Sequence, residues 1–136
     1  MHTQKGAAQY RAVRSHGLVA DASPPRLVQI MFEQTLSHLA TAQGCMARIS
    51  NNLPLNEIVA KGKAMSKAIR LINQLNGTLD MERGAEIAAN LRSLYVYMLA
   101  RLTLANATLD ASIVGEVIVL VRKVKSGWDG IVTDAR

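Results

Sequence analysis

The stretch that decides the fold is residues 87–109, IAANLRSLYVYMLARLTLANATL, in which Arg92 and Arg101 carry the only charges. An ordinary surface helix has one apolar stripe and a charged opposite side. This segment has such a stripe, and it adds apolar side chains outside it, namely Val96, Tyr97, Leu99 and Leu104. A helix of this kind must be covered on most sides by its own fold, a membrane or a partner.

Three further segments with helical spacing accompany this stretch. Ser23 followed by Pro24 and Pro25 is a strong helix start, because serine caps helices and proline suits the first helical position. Asn56 is expected to cap the second helix, and either Asp110 or Ser112 the fourth. We predict helices over 24–50, 56–79, 84–108 and 111–132.

The connections between these helices are short, which favours antiparallel neighbours. The predicted fold class is therefore all-α, an antiparallel up-down four-helix bundle over residues 21–136. Residues 1–20 are polar and basic with little periodicity, and we predict a flexible N-terminal segment there.

Length and composition indicate which of the three, the fold itself, a membrane or a partner, covers the apolar helix. The 136 residues suffice for one domain, the single cysteine, Cys45, fits a location in the reducing cytosol, and no signal peptide is visible. A membrane span over 93–109 is too short, and Arg101 near its centre would cost roughly 2.5–3.5 kcal/mol. Membrane insertion is not expected.

Enzymatic chemistry finds no support in the sequence. The three histidines are His2, His16 and His38, and no Glu-x-x-His pair exists to build a di-metal bundle. Phosphate-binding loops and nucleophile motifs are also absent. We predict a protein without enzymatic activity, with no catalytic residue, no metal and no cofactor.

Two non-enzymatic classes remain. The formal net charge of +6 permits a basic helical nucleic-acid module, but the aromatic residues are not interleaved with the basic run. A protein-binding scaffold would use the surplus apolar surface of the third and fourth helices. Glycines inside the helices, Gly44, Gly62 and Gly115, fit either close helix packing or a shallow groove for another chain. The residues favour protein binding.

The region LDMERGAEIAANLRSLYVYMLARLTLAN, residues 79–106, resembles the flagellar export chaperone family of the FliS type. The resemblance extends to Tyr10, to Ser23-Pro24 and to Trp128, and so spans nearly the whole chain. The chain departs from the family pattern at Ala85, where a second glycine is usual, and at Met31 to Gln34, where a Leu-Tyr-Asp-Gly run is common.

The resemblance implies a cytoplasmic chaperone that binds the disordered C-terminal segment of flagellin, prevents its premature polymerisation and assists its delivery to the flagellar type III export apparatus. It also implies that the N-terminal segment with Tyr10 covers part of the client groove in the free protein. Whether the free chain self-associates is left open. The high positive charge indicates either an acidic client or an excess of charge off the binding face.

We predict a partner-binding set centred on the third helix. Tyr97 is the first choice and Tyr10 the second, while Asn90 and Arg101 flank the apolar face. Asn106 either contacts the partner or caps its helix. The remaining members are apolar or aromatic side chains of the first and third helices: Leu27, Met31, Leu91, Tyr95 and Met98.

Overall fold

A computed structural model describes residues 23–49, 52 and 54–134. The elements are α1 (Pro24–Arg48), α2 (Leu55–Gly77), α3 (Ala85–Thr108) and α4 (Ala111–Asp134). No strand occurs among the described residues. The predicted segment 1–20, with Tyr10, lies outside them.

The four helices form an up-down bundle, which confirms the predicted fold class. The helix α1 packs against α2 and α4, and α3 completes the bundle by packing against the same two helices less extensively. Helices that follow one another in the chain thus pack together, and the first and last helices, α1 and α4, also pack together and close the bundle. The short connections at 78–84 and 109–110 impose the antiparallel arrangement.

The helix termini follow local chemistry. The Ser23 hydroxyl oxygen accepts a hydrogen bond from the Arg26 amide, as predicted, with proline in the first turn. Asp110 Oδ1 accepts the Ser112 amide at 2.9 Å, which decides the fourth cap in favour of Asp110. The prediction for Asn56 is wrong: α2 begins at Leu55, and the Pro54 carbonyl accepts the amides of Glu57 and Ile58. The fixed backbone angle of proline suits that position and draws Asn56 into the first turn.

The connection from α3 to α4 is a tight reversal. Leu109 has a φ of 54°, a left-handed conformation that side chains other than glycine adopt at a cost of roughly 1–2 kcal/mol. The Asp110 amide donates to the Ala105 carbonyl at 3.0 Å and closes the end of α3. The reversal places the start of α4 directly beside the end of α3.

The core is built from aliphatic and methionine side chains of all four helices. Its fully buried members include Met31, Leu39, Met65, Ile72, Met98, Leu102, Val114 and Val117. Thr35 is also buried, and its hydroxyl donates to the Met31 carbonyl at 2.7 Å, which satisfies it within α1. The helix α3 contributes only five buried residues, whereas α1 contributes ten. Part of the apolar surface of α3 therefore stays exposed and is not buried in the bundle core.

The glycines inside the helices differ in what they leave room for. A Cβ atom on Gly115 would lie 2.9 Å from Gln43 Nε2, so α1 and α4 approach closely there through that side chain. A Cβ atom on Gly62 would meet nothing within 4 Å. A side chain at position 115 would therefore press on the end of the Gln43 side chain, whereas one at position 62 would have open space.

Candidate protein-binding surfaces

An apolar pocket of about 590 Å³ opens at the end of the bundle where α1 and α3 begin and α2 and α4 end. We call it the end pocket. Its walls come from all four helices and include Val28, Phe32, Leu75, Leu79, Ala88, Leu91, Tyr95, Val124 and Trp128. Ile87 and Ile131 lie at its edge and are 72% and 61% exposed. Exposed aliphatic side chains beside an apolar concavity are typical of a protein-binding site.

Hydrogen bonds between α1 and α4 hold the α4 side of the end pocket. Trp128 Nε1 donates to the Pro25 carbonyl at 3.0 Å, and Gln29 Nε2 donates to Asp129 Oδ1 at 2.8 Å. Lys125 Nζ donates to the second oxygen of Asp129 at 2.6 Å. This lysine is the main cause of the lowered pKa of Asp129. The indole ring is thus fixed in the pocket wall before any partner arrives.

A second apolar surface runs along α3. We call it the α3 outer face; it consists of exposed, uncharged residues at helical spacing, namely Ser93, Val96, Ala100, Leu104 and Ala107. An outward helix face normally carries charges. This one has none over roughly 20 Å, at a rise of about 1.5 Å per residue.

Tyr97 and Arg101 border the α3 outer face on the side of α4. Glu116 binds both: Tyr97 donates to one carboxylate oxygen at 2.5 Å and Arg101 to the other at 2.9 Å. These bonds, first that of Tyr97, lower the pKa of Glu116, and the bond to Glu116 raises the pKa of Tyr97. The Tyr97 side chain nevertheless remains 47% exposed, so its ring is available to a partner.

Asn106 joins two helices at the other end of the bundle. Its amide oxygen accepts a hydrogen bond from Lys61 Nζ at 2.7 Å, and Lys61 is 9% exposed. Asn106 therefore connects α3 to α2, while the left-handed Leu109 ends α3. The alternative in which Asn106 caps its helix is not what the structure shows.

The other predicted partner-binding residues differ in how a partner could reach them. Leu27, Met31, Tyr95 and Met98 are buried, so a partner reaches them only through the pocket or through opening of the bundle. Burial also raises the pKa of Tyr95 to about 12. Leu91 and Tyr95 line the end pocket, whereas Asn90 is exposed at the start of α3. The set therefore does not form one continuous surface.

Sequence reasoning missed several pocket residues. In α1 the pocket is lined by Val28 and Phe32, each one position after the predicted Leu27 and Met31. Helical spacing places Trp128 and Ile131 on the apolar stripe of the fourth helix, but neither they nor Ile87 are among the predicted partner-binding residues. A signal existed for Ile87: it lies in the first turn of α3, where no preceding turn of the helix can cover it.

Within the part of the chain that the structure describes, no group of three or more histidine, cysteine or acidic side chains could hold a metal ion. Over the same residues, no helix is both long and apolar enough to cross a membrane.

The fold and these surfaces define an all-α four-helix bundle with apolar surface left over at one end and along one helix. The family profile of flagellar protein FliS matches residues 6–135. The chain belongs to this family.

Relatives match over nearly their whole lengths. The flagellar secretion chaperone FliSB of Pseudomonas aeruginosa is 44% identical over 131 residues, which is 96% of this chain and 98% of the relative. The flagellar secretion chaperone FliS of Salmonella typhimurium is 38% identical, with 96% and 93% covered. That of Vibrio cholerae is 34% identical, with 93% and 89% covered. These relatives are named as chaperones, not as enzymes, in agreement with the prediction of a non-enzymatic protein.

Proposed function

We propose that this protein is a cytoplasmic flagellar export chaperone whose client is the disordered C-terminal segment of flagellin. Binding keeps the client from polymerising too early and assists its delivery to the flagellar type III export apparatus. The observation that carries the proposal is the end pocket, an apolar concavity with two exposed isoleucines at its edge. The names of the relatives support the same class of activity.

The client would use the two apolar surfaces together. A disordered segment that folds on binding can wrap a large surface, and part of its binding energy offsets the entropy of ordering. Apolar side chains of an amphipathic client helix would enter the end pocket, and a second part of the segment would lie on the α3 outer face beside Tyr97. This arrangement would cover the apolar surface that the bundle leaves open.

The N-terminal segment would compete with the client for the end pocket. Pro24 and Pro25 line the pocket, so α1 begins at the pocket edge. Tyr10 lies about 13 residues earlier, within reach of the pocket at a span of up to ~3.3 Å per extended residue. Tyr10 would thus act as a gate that the client displaces.

Calorimetry with a peptide of the last ~40 residues of the host's flagellin tests the proposal, a length chosen for a segment that folds as it wraps. Ile87→Glu should weaken binding at least tenfold, because a charge would enter an apolar contact at a cost above about 1.4 kcal/mol. The matched control is Leu55→Glu, since Leu55 is also 72% exposed but lies on α2 away from the pocket. No binding by the unsubstituted protein at tens of micromolar would refute the flagellin assignment. Equal losses in the two variants would refute the pocket as the site.

A further inference from the structure

The outward side of α2 carries a mixed basic and aliphatic surface that the client-binding proposal does not use. We call it the α2 basic face and define it by Leu55, Val59, Lys63, Lys67 and Arg70. Steps of three or four residues place all five on one side of the helix. All five are exposed, Leu55 to 72% and Val59 to 47%.

The charge of this face is not neutralised locally. Residues 58–79 contain no aspartate or glutamate, and Glu57 pairs with Arg48 of α1 at 2.8 Å. Lys63, Lys67 and Arg70 form no salt bridge with any described residue. Like charges at these spacings repel one another and destabilise a helix slightly. A surface that works against the stability of its own helix is a candidate for recognition.

We propose that the α2 basic face binds an acidic segment of a partner protein, one with aliphatic side chains at one end and carboxylates along the rest. The order of residues carries this assignment: Leu55 and Val59 occupy the first two turns of α2, and the three cations follow over the next two or three. The face measures about 23 Å at the helical rise, the length of a segment of four helical turns. Aliphatic contacts would fix the register, and ion pairs would supply attraction.

Other occupants fit this face less well. The chain's own first 20 residues contain Lys5, Arg11 and Arg14 and no acid, so they are repelled. A second copy of the chain brings a further net charge of +6. Nucleic acid gains nothing from two exposed aliphatic side chains, and no aromatic residue lies on this face for stacking. A helix that lies on a membrane has an apolar face along its length with the cations on another face, whereas here two aliphatic residues and three cations follow one another on a single face.

The test uses a synthetic peptide of about 16 residues, with two leucines at one end followed by glutamates four residues apart, which matches the length of the face. Lys63→Glu with Lys67→Glu should weaken its binding by at least tenfold, and Lys63→Gln with Lys67→Gln by less. The control pair, Arg92→Glu with Arg122→Glu, removes two exposed cations on α3 and α4 and changes the net charge equally. It should weaken binding by less than threefold. Leu55→Ser with Val59→Ser should also reduce binding, by roughly threefold.

Three results would overturn the proposal: no binding of the peptide, equal loss with the control pair, or tighter binding of duplex DNA or phosphatidylglycerol vesicles with the same dependence on Lys63 and Lys67. Binding of the flagellin peptide is measured on the same variants. It should stay within about twofold of the unsubstituted protein for Lys63→Glu with Lys67→Glu. The two peptides thus test the two proposals separately: the acidic peptide tests binding at the α2 basic face, and the flagellin peptide tests client binding.

Discussion

The Tyr97 hydroxyl and the Glu116 carboxylate meet over 2.5 Å, so an exposed aromatic ring of α3 is held in position from α4. Arg101 donates to the same carboxylate and completes a three-residue cluster at the α3–α4 boundary. A ring fixed before binding loses little conformational entropy when a partner packs on it. The cluster therefore holds the Tyr97 ring in place and uses its hydroxyl within the fold; under the proposed function, the ring would be an apolar contact for the client.

Two substitutions of Tyr97 distinguish the contribution of its ring to client binding from that of its hydroxyl. Tyr97→Phe keeps the ring and should leave affinity for the flagellin peptide within about twofold. Tyr97→Ala removes it and should weaken binding about tenfold, the loss of about 1.4 kcal/mol that a central aromatic contact commonly supplies. Calorimetry measures both affinities. If the phenylalanine variant binds as weakly as the alanine variant, the hydroxyl and not the ring contacts the client.

Trp128 is the single tryptophan of the chain and lines the end pocket, which makes it a reporter of pocket occupancy. Entry of client side chains should exclude water from the indole and shift its emission to shorter wavelength. A fluorescence titration with the flagellin peptide measures this directly. A peptide that binds by calorimetry without any change in emission would lie on the α3 outer face alone. Ile87→Glu provides the control, because it should abolish the shift.

Acidification should destabilise the fold through carboxylates whose pKa values are lowered by their partners. Tyr97 and Arg101 lower the pKa of Glu116, Ser112 that of Asp110, and Lys125 that of Asp129. A lowered folded-state pKa gives stability that is complete above the unfolded-state value of about 4 and is lost as the pH falls through the folded-state value. Tm should therefore be level between about pH 7 and 5 and decline below about pH 4.

Glu116→Gln isolates one contribution to this decline. The substitution should lower Tm at pH 7, where the carboxylate is ionised, and lower it less at acidic pH, because the charge-dependent stability is lost as the pH falls through the lowered folded-state pKa of Glu116. Thermal melts followed by circular dichroism give both values. An equal drop in Tm at the two pH values would mean that Glu116 acts through packing and not through its charge.

Lys61 and Asn106 form a polar contact between α2 and α3 in which Lys61 is a buried residue and Asn106 an exposed one. Asn106→Ala should cost about 1.5–3 kcal/mol, because it removes a hydrogen bond to a charged group and leaves the ammonium without that acceptor. Lys61→Met should cost less, since it removes the charge as well. In urea unfolding, the double variant should be more stable than the sum of the single effects implies. Strict additivity would show that the two side chains do not interact.

The bundle could be predicted from the sequence because its signals are local. Ser23 before two prolines, the turn around Pro54 and the cap at Asp110 each act over three or four residues. At the start of α2 two local signals compete: the side-chain preference predicts Asn56 as the N-cap, whereas the structure has Pro54 there. The covalent constraint of proline prevailed over the side-chain preference of asparagine.

The candidate sites were less predictable because they depend on how the helices are rotated against one another. Helical spacing placed Leu27 and Met31 on the apolar side of α1 but could not show that Val28 and Phe32 face the end pocket. The rotation of each helix follows from core packing across all four helices, which no single segment encodes. The Lys61–Asn106 contact joins residues 45 positions apart and left no local signal.

The small number of buried side chains on α3 has a consequence for how the protein moves. Helices with few buried contacts open locally at lower free energy than the rest of a fold, and their amide protons exchange faster with solvent deuterium. The amides of α3 should therefore exchange before those of α1, and a bound client should slow them most. The chaperone would then be ordered by its client just as the client is ordered by it, and the affinity would include the ordering of both chains.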